Sequence, residues 1–222
     1  MEHPFREELK LLKQRLIEMS FLVEEAVSKA CEALLTREEK LAHEVIEGES
    51  RINALEIEID DKGHSLFALG QPMAVDLRLV TMILKMNTDL ERMGDHAVNI
   101  AEKTLFILKN PEVKLDDHLQ RMAQAALRML RDALNSFLKE DADLAQSVLK
   151  RDDEVDNYNI NLYYQLSDLM EAQSSAVEVG INLLMISHNL ERVADLACNI
   201  AEDVIYLKQG KEVRHRVQIE PV

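Results

Sequence analysis

The stretch that decides the fold is Leu90–Glu102, LERMGDHAVNIAE, because the chain repeats it one hundred residues later. The second copy, Leu190–Glu202, reads LERVADLACNIAE and is identical to the first at nine of thirteen positions. An apolar repeat alone would indicate only that two helices pack alike. Several identical positions are polar, and core packing does not require polar identity. The motif therefore predicts a duplicated unit whose surface chemistry is used twice.

The composition favours long helices. Of the 222 residues, 47% are hydrophobic and only 4% are aromatic, with 6 Gly and 4 Pro. Sheets need more turn residues and more aromatic side chains than this chain has. Apolar residues recur at three- and four-residue steps, which predicts six helices. The first runs from Pro4 to about Thr36, and the second from there to just before Gln71. The other four span residues 73–109, 117–138, 141–170 and 175–210.

The second half of the chain repeats the helical pattern of the first. We therefore expect an elongated all-α protein of two tandem antiparallel three-helix bundles, residues 1–112 and 113–222. The segment 110–116, NPEVKLD, is the candidate linker, and a charged tail begins near residue 211. Capping boxes at Thr36 and Ser175 are expected to open the second and the last helix.

The net charge of the chain disfavours anionic partners. A formal net charge of −15 disfavours binding to nucleic acid or to an anionic membrane surface, and it favours cations or basic protein patches. Cys31 and Cys198 lack metal-type spacing and are interpreted as buried thiols in a reducing compartment. Because the chain has no leader pattern and no apolar run long enough for a membrane span, we expect a cytoplasmic protein without direct membrane insertion.

Each copy of the motif carries two carboxylates one helical turn apart, Glu91 with Asp95 and Glu191 with Asp195. At 100° per residue, each pair lies beside the apolar seam of its helix. The preceding helix of each repeat has a matching polar stripe. The two stripes are Glu49, Asn53, Glu56 and Asp60, and Asp152, Asp156, Asn159 and Tyr163.

Helices joined by a short loop run antiparallel and touch, so the two stripes of a repeat are expected to face each other. Converging carboxylates repel unless a counter-charge is present, and a hard cation accepts several carboxylate oxygens. The predicted metal ligands are Glu49, Glu91, Asp95, Asp152, Asp156, Glu191 and Asp195. Asn53 stands where the repeat predicts a carboxylate and weakens the first site. The plainer interpretation is a pair of solvated acidic faces.

Basic side chains and histidines receive simpler interpretations. Arg92 and Arg192 are expected to pair with Asp95 and Asp195 three residues on. His188 lies one turn before Glu191 on the same face and is a further ligand candidate. The remaining histidines considered are expected on the surface: His43, His64, His96 and His118.

The motif Leu90–Glu102, its second copy and the segment QPMAVDLR (Gln71–Arg78) together resemble the signature of the PhoU family, regulators of phosphate transport. The resemblance covers nearly the whole chain. It implies two similar three-helix bundles, and iron or zinc clusters on E(D)xxxD motifs, which match Glu91 with Asp95, Glu191 with Asp195 and Asp152 with Asp156. Glu49 with Asn53 departs from this pattern.

The same resemblance implies a non-enzymatic negative regulator of phosphate uptake and of the phosphate-starvation response. Its expected partners are the ATPase subunit of the phosphate ABC transporter and the sensor histidine kinase, and a homodimer is expected. Two alternatives remain. A carboxylate-bridged metal enzyme or iron store would need Glu-x-x-His on the ligand helices, and that spacing occurs only at Glu212–His215, in the tail. A metal-free helical scaffold is the other.

Overall fold

A computed structural model describes residues 2–69, 74–110, 113, 116–210 and 213 of the chain, and their regular structure is entirely helical. The first repeat contains α1 (Glu2–Thr36), α2 (Glu39–Leu69) and α3 (Ala74–Leu108). The second contains α4 (His118–Lys139), α5 (Ala142–Leu149), α6 (Asp152–Ala172) and α7 (Val177–Gln209), with a 3-10 turn at Ser174–Ala176. The predicted tandem of antiparallel three-helix bundles is confirmed.

Helices α1, α2 and α3 all pack against one another through one apolar stripe each. On α1 the side chains of Leu12, Leu16 and Met19 have no exposed surface. A helix of 35 residues spans about 50 Å at a rise of about 1.5 Å per residue, so the first bundle is long and narrow. Gly94 brings α3 close to α2, because a Cβ there would lie 3.3 Å from the side chain of Ile52.

The second bundle differs from the prediction in its middle helix, which is broken rather than continuous over 141–170. Asp141 caps α5 by accepting hydrogen bonds from the backbone N–H groups of Asp143 and Leu144. The helix ends at Leu149, and α6 begins at Asp152. Arg151 lies in the break and forms an ion pair with Asp132 of α4, which holds the break against the neighbouring helix. The break places Asp152 in the first turn of α6.

The two predicted capping boxes do not form. The hydroxyl of Thr36 donates to the carbonyl of Glu32 within α1, and the turn into α2 is made by Arg37 in a left-handed conformation (φ 58°). Ser175 lies in the 3-10 turn, and α7 starts without a side-chain cap. The glycine stop is confirmed, since Gly210 ends α7 with φ 65°.

Helices α3 and α7 pack against each other and join the two repeats. His96 is half-buried in this contact, with Nδ1 2.8 Å from Oδ1 of Asn189, so its predicted surface position is wrong. Nearer the other end, Lys85 pairs with the buried Asp203 at 3.5 Å. Burial and the charge of Asp203 raise the pKa of Asp89 in the same contact to about 6.

Several sequence-based expectations concern residues outside the described ranges. They include the boundary at 112, most of the linker, the start of QPMAVDLR and the tail with Glu212–His215, so the division at 112 stays a prediction. None of the described helices is both long enough and apolar enough to cross a membrane.

Candidate metal-binding faces

In the second repeat, four carboxylates from two helices form one acidic cluster. Asp152 and Asp156 come from α6, and Glu191 and Asp195 come from α7. Burial raises the pKa of Asp156, and the charges of Asp152, Glu191 and Asp195 raise it further. Burial likewise raises the pKa of Asp195, with added repulsion from Glu191 and Asp152. The structure thus brings together the four residues that the sequence predicted for this repeat, and we call them the second cluster.

Three further side chains border the second cluster. Arg192 donates to Oδ2 of Asp195 at 3.1 Å, which confirms the predicted pair. The exposed His188 lies with Nδ1 2.8 Å from Oε2 of Glu191.

The third is Cys198, whose thiol lies 3.5 Å from Oδ1 of Asp152. It was expected to be buried but is only partly so, whereas Cys31 is buried as predicted. Burial raises the pKa of the Cys198 thiol, and the charge of Asp152 raises it further. A thiol that is hard to deprotonate beside a carboxylate does not behave as a reactive cysteine.

The first repeat has the equivalent cluster on α2 and α3. Burial raises the pKa of Glu91, and the neighbouring charges of Asp95, Glu56 and Glu49 raise it further, whereas Arg92 lowers it. These four carboxylates, Glu49, Glu56, Glu91 and Asp95, form the first cluster. Glu56 lies on the predicted polar stripe one turn after Asn53 but is not among the predicted ligands.

Asn53 occupies the position that corresponds to Asp156. Its amide oxygen Oδ1 is buried and accepts no hydrogen bond from any described residue. An unpaired buried acceptor is costly, and most such groups in folded proteins have a partner. An amide oxygen also coordinates hard cations. The substitution of Asn for Asp therefore removes one charge from the first cluster but retains an oxygen donor.

The chemistry of both clusters fits a hard or borderline cation. Each offers several oxygen donors that repel one another, and a bound cation would relieve that repulsion. As the side chains stand, no group of three or more His, Cys, Asp or Glu within the described ranges is arranged to hold a metal ion. Binding would therefore require the carboxylates to rotate toward a common point.

A family model of the PhoU domain matches the chain twice, over residues 16–104 and 119–204. The chain belongs to the PhoU family. Each matched segment contains one copy of the repeated motif and one acidic cluster. The family's duplicated domain thus coincides with the duplication found in the sequence.

Full-length relatives support the assignment. The chain is 36% identical over 212 residues to the "Phosphate-specific transport system accessory protein PhoU homolog 1" of Thermotoga maritima, covering 95% of this chain and 91% of that protein. It is 37% identical over 209 residues to the PhoU homolog of Aquifex aeolicus, covering 94% and 95%.

Two crystal structures show the same fold. PhoU from Pseudomonas aeruginosa superposes with a TM-score of 0.91 at 35% identity, covering 93% of this chain and all of that chain. The phosphate transport system regulatory protein PhoU from Streptococcus pneumoniae superposes with a TM-score of 0.85 at 34% identity, covering 94% and 99%.

Proposed function

We propose that this protein is a non-enzymatic negative regulator of phosphate uptake and of the phosphate-starvation response. It acts in the cytoplasm as an adaptor between the ATPase subunit of the phosphate ABC transporter and the sensor histidine kinase. The relatives named as phosphate-specific transport accessory proteins support the phosphate system as its place of action. The expected homodimer remains a prediction.

We further propose that the two acidic clusters hold iron or zinc. In the second cluster Asp152, Asp156, Glu191 and Asp195 would bind the metal, with His188 at the border. In the first cluster Glu49, Glu91 and Asp95 would bind it, together with Glu56 and the free oxygen of Asn53. A bound cation supplies positive charge to a protein of net charge −15, which changes how its acidic faces attract a basic partner.

The single observation that carries this proposal is the mutual repulsion within the second cluster. Asp152, Glu191 and Asp195 all raise the pKa of Asp156 across the contact between α6 and α7. Arg192 is paired with only one of the four carboxylates, so the remaining repulsion costs folding free energy unless a cation binds there. A purely structural bundle gains nothing from placing the same acids on both copies.

The proposal is tested by complementation in a strain that lacks its phosphate accessory protein. A reporter of the phosphate-starvation response is measured in high phosphate with the wild-type chain, with Glu91→Ala/Asp95→Ala and with Glu191→Ala/Asp195→Ala. We expect the wild type to restore repression and both double variants to lose it. Each variant is first checked for wild-type helicity and expression.

Two results would contradict the proposal in different ways. If the wild-type chain does not restore repression, its role as a negative regulator is wrong. If both double variants repress as well as the wild type, the adaptor function stands but the acidic clusters have no part in it.

A further inference from the structure

Helices α6 and α7 leave an open groove of about 450 Å³ on the outer surface of the second repeat. We call it the α6–α7 groove. It is lined by Asn159, Ile160, Tyr163, Tyr164, Leu184 and His188. The floor is mostly apolar, and neither the core nor the metal proposal uses Ile160, Tyr163 or Tyr164.

The groove exposes large apolar side chains that the fold does not need. Ile160, Tyr163 and Tyr164 are 53%, 56% and 63% exposed. An exposed apolar patch of this kind usually marks an interaction surface, and Tyr is among the residues enriched there.

The groove ends at the second cluster. His188 lines the groove, and its ring contacts Glu191 one turn further along α7. Asp156 lies one turn before Ile160 on α6, and its carboxylate is repelled by that of Glu191. The apolar floor thus directly borders a group of carboxylates. A ligand of the groove therefore needs an apolar part next to a positively charged part.

The first repeat shows that the duplicated fold does not require these apolar residues. The positions equivalent to Tyr163 and Tyr164 are Asp60 and Asp61. Only Ile57, the counterpart of Ile160, is both apolar and exposed, at 60%.

The negative charge beside the α6–α7 groove determines which class of partner can bind there. A second copy placed symmetrically on the groove would bring one acidic cluster toward another, in a protein of net charge −15. An anionic membrane surface would be repelled for the same reason. A helix with an apolar face and nearby Lys or Arg residues would complement both the apolar floor and the neighbouring carboxylates.

We propose that the α6–α7 groove is the docking surface for a basic amphipathic helix of a partner protein. Apolar side chains of that helix pack on Ile160, Tyr163 and Tyr164, and its Lys or Arg side chains pair with Asp156 and Glu191 when no metal occupies the second cluster. This inference deepens the proposed adaptor role and rests on it for the partner's place in the phosphate system, but the groove itself can be tested separately.

The test uses a phage-displayed library of random 16-residue peptides selected against the full-length protein. We expect enriched peptides to combine helically spaced apolar residues with Lys or Arg. The strongest is then synthesised with a fluorescent label, and its affinity is measured by anisotropy. Ile160→Ser/Tyr164→Ser should weaken binding at least tenfold, whereas the matched control Ile57→Ser should leave it within twofold. Both changes lie at exposed positions, and circular dichroism checks that helicity is retained.

Three outcomes would overturn the docking proposal. They are failure to enrich any peptide, enrichment of acidic or uncharged peptides, and equal binding by the groove variant and the wild type. A second copy would be the occupant instead if the wild type sediments as a dimer and the groove variant as a monomer. If peptide binding depends on the groove but the wild-type chain does not restore phosphate repression, the docking surface stands and the proposed function fails.

Discussion

The α2–α3 face of the first repeat and the α6–α7 face of the second share a backbone plan but differ in chemistry. Both place an E-x-x-x-D pair on the last helix of the bundle. The second adds Asp156 where the first has Asn53, and Cys198 where the first has Val98. Its middle helix is also broken, which puts Asp152 in a first helical turn, whereas Glu49 lies inside α2.

The duplication retains the core and the acid pairs but not the rest of the surface. Leu90 and Leu190 are both fully buried, so the two cores impose the same demands. Each cluster has four carboxylates, but the second repeat has Asp156 where the first has Asn53, and among the described residues only the second has His188 and an apolar groove beside its cluster. We propose that the second repeat is the stronger cation site, because His188 borders its carboxylates, and that it is the main docking face.

The largest effect is expected in the cores, where the repeats should behave alike. Leu90→Ala and Leu190→Ala each remove a fully buried side chain and should lower the free energy of unfolding by about 2–5 kcal/mol. Urea denaturation followed by circular dichroism measures both values. A large loss for one variant and almost none for the other would show that the two cores are not equivalent.

A smaller effect is expected from Asp89, whose counterpart in the second repeat is the neutral Asn189. Its pKa is raised to about 6 in the folded protein, above the value of about 4 expected for an unfolded chain. The folded state therefore binds the proton more tightly, so this group makes stability fall as the pH rises from about 4 to 6. After allowance for solvent screening, the loss should be about 1–2 kcal/mol.

Asp89→Asn should remove this pH dependence and make the variant more stable than the wild type at pH 7. Unfolding free energies measured between pH 4.5 and 7 test it, with Asp168→Asn, an exposed carboxyl on α6, as control. The account of Asp89 would be wrong if its variant kept the pH slope of the wild type.

The smallest effect on stability is expected at the two acidic clusters in the absence of metal. Asp156→Asn gives the second cluster the residue of the first and should raise stability in the presence of a chelator by about 0.5 kcal/mol, since it removes a repelled charge. Asn53→Asp should lower stability by a similar amount. Thermal unfolding of both variants tests this reciprocity, and a shift of the same sign in both would contradict it.

Much of the fold was predictable because the chain carries its own internal comparison. Nine identities in thirteen residues, including Glu191 and Asp195 as copies of Glu91 and Asp95, indicated both the duplication and which polar positions matter. Helical periodicity then placed these acids on one face. Their convergence with α2 and α6 followed from the antiparallel arrangement of neighbouring helices.

The features that the sequence did not predict depend on tertiary contacts. The break before α6 is held by an ion pair between Arg151, which lies in the break, and Asp132 on α4. The position of His96 depends on the α3–α7 contact, because its partner Asn189 is 93 residues away in the chain. The hydroxyl of Thr36 could either cap α2 or donate to a carbonyl of α1. With Arg37 in the left-handed conformation, it donates to the carbonyl of Glu32 in α1.

Whether the acidic clusters bind cations is tested most directly by a metal titration. It compares the untagged wild-type protein with the variants Asp156→Asn and Asn53→Asp. Iron and zinc per chain are measured by mass spectrometry after equilibrium dialysis. We predict that Asp156→Asn weakens binding at the second cluster about tenfold, and that Asn53→Asp strengthens binding at the first cluster by a similar factor, because each change alters the ligand charge by one. Absence of saturable uptake, or equal uptake by all three proteins, would contradict the claim that the acidic clusters are cation sites.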